Sequence, residues 1–243
     1  MQAAENQSRI RLASYNIRKC VGLDRRRAPG RILDVITSLD ADIIALQEAD
    51  RRLGARPAAL PRRLIERASE FEPLDIGEGP ESLGWHGNAV LVRKGTLLLA
   101  TRRLILPGLE PRGAVIADLA IGAARVRLVA THLGLMRRHR ILQLQAIRAA
   151  IDTLPDLPTV ILGDFNEWNG DKGLDPLQDA YTIHAPGRSY HAARPVAALD
   201  RIALGSGIDL RDAGVREAGA ALRASDHLPV WADISLPAPS ACG

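Results

Sequence analysis

Short runs in which apolar and polar residues alternate recur along the chain and predict a protein with many β-strands. Residues 10–17, Ile-Arg-Leu-Ala-Ser-Tyr-Asn-Ile, begin with such an alternation and end in polar groups. A dense group of predicted strands follows at 88–93, 97–104, 113–119 and 126–132. Gly95, Gly108 and Gly122 separate these strands, which favours hairpins and antiparallel pairing. The remaining predicted strands span 42–48, 159–164, 199–204 and 229–236.

Longer segments with helical spacing lie between the strands. After Pro29, the apolar residues Ile32, Val35, Ile36 and Leu39 fall at i, i+3, i+4 and i+7, so they share one face of a helix. We predict two further helices, one near 60–70 and one over 136–152.

The pattern indicates one domain without internal repeats or a linker rich in proline, serine and glycine. We place this domain at 10–236, with flexible ends at 1–9 and 237–243. Segment 54–84 is rich in proline, glycine and charge and is the best candidate for a mobile surface excursion. The predicted fold class is α/β, a layered sandwich with mixed strand pairing and helices covering the sheets.

Composition supports a folded protein and excludes several other classes. Apolar residues make up 47% and charged residues 25% of the 243 positions, so the chain can fill a core. The net charge of +4 is modest and does not by itself indicate nucleic acid. We find neither a membrane-spanning apolar run nor a secretory signal, and Cys20 and Cys242 offer no disulfide framework. We therefore expect a cytoplasmic monomer.

The predicted strands repeatedly end in acid, amide or imidazole side chains. These residues are Asn16, Glu48, His132, Asp164 with Asn166, Asp200, and Asp226 with His227. Side chains at the ends of strands in one sheet system can converge on a single point. Carboxylate and amide oxygens are hard ligands suited to Mg²⁺ or Mn²⁺, whereas a zinc-type Cys/His pattern is missing from the sequence.

Each of these residues taken alone also has a simpler interpretation. Asn16 fits an ordinary turn or cap, and Glu48 fits a solvated strand end. His132 continues the alternation of its strand and fits a histidine at the inner edge of the core.

Two of the strand ends are more specific. In Gly163-Asp164-Phe165-Asn166, glycine permits a tight bend, and the acid and amide two residues apart then face the same side. Such a pair can hold a water and a phosphoryl oxygen. In Ser225-Asp226-His227, an acid beside an imidazole can divide metal or water binding from charge stabilisation.

Taken together and in order, six motifs resemble the signatures of the endonuclease/exonuclease/phosphatase superfamily, the DNase I-like fold. They are Ser14-Tyr15-Asn16, Leu46-Gln47-Glu48, Thr131-His132-Leu133, Gly163-Asp164-Phe165-Asn166, Leu199-Asp200-Arg201-Ile202 and Ser225-Asp226-His227. The resemblance runs from residue 10 to 236 and is that of a compact bacterial-type member. It implies a four-layer α/β sandwich, with two mixed, mostly antiparallel sheets face to face, helices outside and the site at one edge.

The resemblance also implies metal-dependent hydrolysis of a phosphate ester and a role for each residue. Glu48 would be the principal ligand of Mg²⁺ or Mn²⁺, with Asn16 and Asp226 as further ligands. Asp164 would orient or deprotonate the attacking water, and His132 would stabilise developing charge or assist the leaving group. The other implied roles are transition-state binding by Asn166 and by His227, orientation of His227 by Asp200, and phosphate binding by Arg112.

The identity of the substrate is the least determined part of the sequence analysis. A phosphodiesterase acting on DNA or RNA ranks first, and a phosphodiesterase or phosphatase acting on phospholipid headgroups or small molecules is the alternative. A non-catalytic binding protein on the same fold is disfavoured because every expected catalytic position holds a competent residue. The basic run from Arg18 to Arg27 fits either a contact to an anionic ligand or a solvated loop.

Overall fold

The structure is a computed structural model that describes residues 8–52 and 54–237. The strands in these residues are β1 (Ser8–Asn16), β2 (Ile43–Gln47), β3 (Phe71–Pro73), β4 (Ala89–Arg93), β5 (Leu97–Leu106), β6 (Arg112–Ile121), β7 (Ala124–His132), β8 (Thr159–Asp164), β9 (Tyr181–His184), β10 (Asp200–Gly205), β11 (Asp209–Val215) and β12 (Val230–Leu236). The α-helices are α1 (Pro29–Ser38), α2 (Arg62–Ala68), α3 (Arg137–Ile151), α4 (Asp175–Gln178) and α5 (Ala221–Ala224).

The strands form two six-stranded sheets, with orders β11-β12-β1-β2-β4-β3 and β5-β6-β7-β8-β10-β9. Only β1 with β2 and β7 with β8 pair in parallel, and the other pairs described are antiparallel. Apolar residues from both sheets, such as Leu12 and Val126, pack into one cluster between them. The prediction of two mixed, mostly antiparallel sheets packed face to face is confirmed.

Helices cover the outer faces of the two sheets. Ile32 and Ile36 of α1 pack with residues of β1 and β2, while Leu144 and Ile147 of α3 pack on the second sheet. The periodic spacing after Pro29 therefore identifies the buried face of α1 correctly. Three apolar clusters, one between the sheets and one between each sheet and its helices, therefore hold the four layers of the sandwich together.

Two predictions about chain segments need correction. Ser8 and Arg9 belong to β1, because they pair with Leu236 and Ser235 of β12, so the flexible end predicted for 1–9 includes two strand residues. Residues 1–7 and 238–243 lie outside the described part of the chain. Segment 54–84 is not only a surface excursion, because it supplies α2 and β3 and buries Ile65 and Phe71 in the core.

Among the described residues, no helix is long and apolar enough to cross a membrane.

Candidate active site at one edge of the sheets

The strand order explains how distant residues of the sequence meet. Parallel pairing places the end of β1, at Asn16, beside the end of β2. In the second sheet, His132 at the end of β7 and Asp200 at the start of β10 both pair with Asp164 at the end of β8. A hydrogen bond from Asn16 Nδ2 to Asp164 Oδ2, 3.0 Å long, joins the two sheets at this edge.

Asp164 is the centre of this group. Besides Asn16, its Oδ2 atom has the Nε2 atoms of His132 at 3.3 Å and His227 at 3.6 Å. The side chain is almost fully buried. A carboxylate held between an amide and two imidazoles has its direction fixed, and it is available to a polar group entering from the same side.

The bend after β8 brings the Asn166 backbone back to the Asp164 carboxylate. Gly163 has φ +150°, and a Cβ atom there would lie 1.8 Å from the carbonyl oxygen of Thr131, so only glycine fits. Asn166 follows with φ +51°. Its N–H donates to Asp164 Oδ1 at 3.0 Å, and its Nδ2 donates to the Leu133 carbonyl oxygen at 2.9 Å.

His227 is held as a cation by buried acids. Burial opposes protonation of its imidazole, but the charges of Asp164 and Asp200 outweigh burial and raise the pKa to about 9. Both ring nitrogens then carry a proton, and Nδ1 donates to Asp200 Oδ2 at 3.0 Å. Asp200 is fully buried, and its Oδ1 has no hydrogen-bond partner among the described residues.

His132 contacts the same carboxylate as a neutral imidazole. Burial lowers the pKa of His132 to about 3, and the nearby Asp164 charge offsets this only in part. At neutral pH the site therefore combines one neutral and one cationic imidazole on one carboxylate oxygen.

Glu48 lines a small cavity next to this group. The cavity has a volume of about 190 Å³ and is lined by Lys19, Glu48, Asp50, Arg52, Arg56, His86, Gly87, Glu110, Pro111, Arg112 and His132. Lys19 Nζ donates to Glu48 Oε2, and Arg52 contacts Oε1 at 3.3 Å. Burial opposes ionisation of Glu48, but the hydrogen bond and charge of Lys19 outweigh it and lower the pKa. Glu48 is thus an anion at neutral pH.

The remaining predicted ligand, Asp226, holds a second cation. Its Oδ2 lies 3.3 Å from Arg18 Nε, and its Oδ1 lies 3.3 Å from the Ser225 hydroxyl oxygen. The Ser225 hydroxyl donates to the Asn16 carbonyl oxygen at 2.7 Å, which joins the turn before β12 to the end of β1.

The donor set fits a hard divalent cation. Asn16, Glu48 and Asp226 bring hard oxygen donors from adjacent strand ends, although Lys19 and Arg18 occupy the two carboxylates in this structure. Within the described residues, no three His, Cys, Asp or Glu side chains gather as a metal cluster. The donors available to a cation are thus the Glu48 and Asp226 carboxylates and the Asn16 amide oxygen, which the sequence pattern indicates.

Arg112 lines the Glu48 cavity, as its predicted role in phosphate binding requires. Its guanidinium contacts Glu110 Oε2 twice, at 2.7 and 3.1 Å. Glu110 Oε1 accepts the Leu135 N–H at 2.9 Å, so this carboxylate links the loop before β6 to the loop after β7. Arg112 is thereby directed by a partner that the sequence analysis does not identify.

A larger cavity, about 1010 Å³, is lined by the opposite strand ends and contains none of the predicted residues. Three arginines line it, Arg125, Arg127 and Arg148, and the last two are paired with Asp118 and Asp179. The smaller cavity is the better candidate for phosphate chemistry because Glu48, Arg112 and His132 line it.

The basic run contains two kinds of residue. Arg18 and Lys19 turn toward Asp226 and Glu48, whereas Arg25, Arg26 and Arg27 are exposed. Sequence reasoning does not find the contacts of Arg18 and Lys19, since both have left-handed φ values, 44° and 56°, that no local pattern predicts. It also misses Tyr190, whose ring lies 5.0 Å from that of His227.

A profile of the Endonuclease/Exonuclease/phosphatase family matches residues 13–227, and the chain therefore belongs to this family. Members of the family are generally phosphoesterase hydrolases that depend on a divalent metal. The chain is 28% identical to the uncharacterized protein YbhP of Escherichia coli strain K12, over 95% of this chain and 98% of YbhP.

Solved structures of other family proteins share the fold. An endonuclease/exonuclease/phosphatase from Bacteroides vulgatus superposes with a TM-score of 0.75 at 17% identity, covering 95% of this chain and 100% of that one. The TDP2 protein of D. rerio, complexed with a single-strand DNA product, gives a TM-score of 0.73 at 18% identity, covering 93% and 99%.

Proposed function

We propose that the protein is a divalent-metal-dependent phosphoesterase that cleaves phosphodiester bonds of nucleic acid. The observation that carries this proposal is the cluster at Asp164. There two imidazoles, one cationic and one neutral, each lie within 3.6 Å of the buried Asp164 carboxylate, next to the cavity that holds Glu48.

Asn16, Glu48 and Asp226 would hold Mg²⁺ or Mn²⁺. When bound, the metal supplies positive charge to a phosphoryl oxygen and so stabilises charge that grows in the transition state. Lys19 and Arg18, which contact the two carboxylates in this structure, would have to release them.

Three residues of the chain activate the water, stabilise the phosphoryl charge and assist the leaving group. Asp164, fixed by Asn16 and the Asn166 N–H, orients the attacking water and takes its proton. His227, kept cationic by Asp164 and Asp200, offers positive charge to the phosphoryl group. His132 is neutral and buried, which suits a group that assists the leaving oxygen.

Two further residues hold the phosphoryl group in this proposal. Asn166 is anchored through its Nδ2 atom to the Leu133 carbonyl oxygen, which fixes its amide beside Asp164. Arg112, directed by Glu110, supplies a guanidinium on the Glu48 side of the cavity.

Exposed arginines support nucleic acid as the substrate. Arg25, Arg26 and Arg27 are exposed in the loop that follows β1, and Arg137 and Arg138 are exposed just after the His132 strand. Such residues can contact successive phosphates of a polyanion. TDP2, which shares the fold, is complexed with a single-strand DNA product. The monomeric state and the cytoplasmic location stay predictions.

One observation favours a phospholipid as the second candidate substrate. Leu109 and Leu135 are 79% and 65% exposed, and they lie on the two loops that Glu110 links beside the Arg112 cavity. Exposed apolar residues next to arginines are typical of proteins that bind an anionic lipid surface.

The test is a panel of substrates assayed with Mg²⁺ or Mn²⁺ at low salt. It compares single-stranded DNA, duplex DNA, RNA, phospholipid vesicles and a phosphomonoester. We expect cleavage of nucleic acid. Cleavage of phospholipid alone would replace nucleic acid by the second candidate, and no hydrolysis of any member would favour a non-catalytic binding protein.

Salt dependence tests the proposed polyanion contacts separately. Replacing Arg25, Arg26 and Arg27 by Glu should weaken binding of single-stranded DNA. It should also reduce the salt slope, which is the slope of log Kobs against log salt concentration, by about 2, because each lost phosphate contact contributes about 0.7. Reversal of the exposed residues Arg63 and Arg67 is the control and should leave the slope unchanged. An unchanged slope in the first variant would remove this loop from the nucleic-acid contact.

A further inference from the structure

A row of aromatic rings leads from His227 to the surface. The Tyr190 ring lies 5.0 Å from the His227 ring, and the Trp168 ring lies 5.7 Å from that of Tyr190 at an interplanar angle of 78°. The chain has only three Trp, three Tyr and two Phe residues among 243. Two of these eight thus stand beside the proposed catalytic cluster, and neither has a role in the mechanism above.

Trp168 is held outward by anchored neighbours. The indole residue is 56% exposed although it follows Glu167, which is buried in an ion pair with Arg140 at 2.6 Å. Glu167 Oε1 also accepts the N–H of Asn169 at 2.9 Å, which fixes the chain on the other side of the tryptophan. A large aromatic side chain that is exposed on a fixed turn leaves ring surface free for a ligand.

Tyr190 is fixed relative to His227 in a different way. Its N–H donates to the Ala197 carbonyl oxygen at 3.0 Å, and the Ala197 N–H donates back at 2.8 Å. Tyr190 also forms an isolated bridge with His227. The Tyr190 ring therefore contacts both the imidazole and the indole and links the catalytic cluster to the exposed Trp168.

We infer that Trp168, supported by Tyr190, is a stacking subsite for the unpaired base next to the scissile phosphate. Aromatic side chains bind bases through their flat faces, and every base offers such a face. Inside a duplex both faces of a base are already stacked, so the subsite selects single-stranded or frayed nucleic acid. This inference rests on the proposed function and narrows its substrate class.

The experiment separates binding of the base from binding of the phosphate. Isothermal titration calorimetry in the presence of a chelator measures the affinity of thymidine 5′-monophosphate and of deoxyribose 5-phosphate, which lacks the base. Trp168→Ala should weaken nucleotide binding about 5- to 150-fold, the range of one base–aromatic stack, and leave the sugar phosphate unaffected. Trp168→Phe keeps a ring and should stay close to the parent.

Leu97→Ala is the matched control, because Leu97 is 63% exposed at the start of the edge strand β5. It should bind both probes like the parent. Equal nucleotide affinity in the parent and in Trp168→Ala would overturn the inference. So would equal affinity of the parent for nucleotide and sugar phosphate, or no detectable nucleotide binding by the parent.

Hydrolysis distinguishes this inference from the proposed function. With Mg²⁺ or Mn²⁺, Trp168→Ala should lose the preference of the parent for a single-stranded over a duplex oligonucleotide, measured as the ratio of kcat/KM values. An unchanged ratio would overturn the subsite while the phosphoesterase stands. Nucleotide binding through Trp168 without any phosphoester cleavage would sustain the subsite and refute the proposed function.

Discussion

Replacing Asp164 by Asn removes one negative charge from the group that joins the two sheets. The amide has almost the same shape, and its carbonyl oxygen can still accept the Asn166 N–H that Oδ1 accepts at 3.0 Å. At the position of Oδ2, however, an NH₂ group would face the donating Nδ2 of Asn16, 3.0 Å away. The variant therefore loses its proton acceptor without a large change in packing.

The expected loss follows from these contacts. A missing general base lowers kcat by at least about 100-fold, which corresponds to about 2.7 kcal/mol of transition-state stabilisation. Two unit charges about 4 Å apart near a protein surface interact by about 4 kcal/mol. Because His227 Nε2 lies 3.6 Å from Asp164 Oδ2, its pKa should also fall from about 9.

Two assays check these numbers. Steady-state hydrolysis of a chromogenic phosphodiester gives kcat and KM, and NMR titration of the histidine ring protons in metal-free protein gives the pKa of His227. Asp156→Asn, at an exposed position, is the control and should leave both unchanged. A fall confined to KM, with kcat intact, would mean that Asp164 holds substrate and takes no part in the chemistry.

Three further predictions concern stability. Arg140→Leu leaves the Glu167 carboxylate buried without its partner and should lower the free energy of unfolding by about 3–5 kcal/mol in urea denaturation, with a smaller loss when both residues become Leu. Gly163→Ala should lower it by more than about 1 kcal/mol, because the new Cβ would meet a backbone oxygen; a melting temperature equal to that of the parent would contradict this. Burial raises the pKa of the Cys20 thiol to about 12, so folding favours the protonated form and stability should fall by about 1–2 kcal/mol between pH 8 and pH 10, a loss that Cys20→Ala should remove.

The pattern of apolar residues predicts the interior strands well, and the strands it misses lie at sheet edges. β3, β9 and β11 are the outer strands that went unrecognised. β9 and β11 bury few side chains, β11 contains a bulge after Leu210, and β3 has only three residues. A strand this short or irregular offers too few positions for an alternation of apolar and polar residues to be recognised. β5 is an edge strand that was found, since Leu97-Leu98-Leu99 happens to be apolar.

Local motifs likewise predict the main residues of the site, whereas the contacts of these residues with distant parts of the chain are not predicted. Ordered motifs indicate Asp164, His132 and His227, because each ends or precedes a strand and carries its chemistry in its own side chain. The partners of other site residues depend on tertiary structure: Lys19 on Glu48, and Arg18 on Asp226, come from a loop that is distant in sequence from both carboxylates. Such contacts follow from where the chain folds back, and the sequence nearby holds no signal for them.

In the proposed function, Glu48 belongs to the site of a divalent metal required for phosphoester hydrolysis. This role is tested by the rate of phosphodiester hydrolysis by the parent and by Glu48→Gln, in chelator and across a titration of Mg²⁺. We expect no turnover in chelator and recovery of the parent with Mg²⁺ or Mn²⁺. Glu48→Gln, which keeps the shape of the side chain and loses its charge, should need a much higher Mg²⁺ concentration. Equal rates of the two proteins at limiting Mg²⁺, or full turnover of the parent in chelator, would contradict this role.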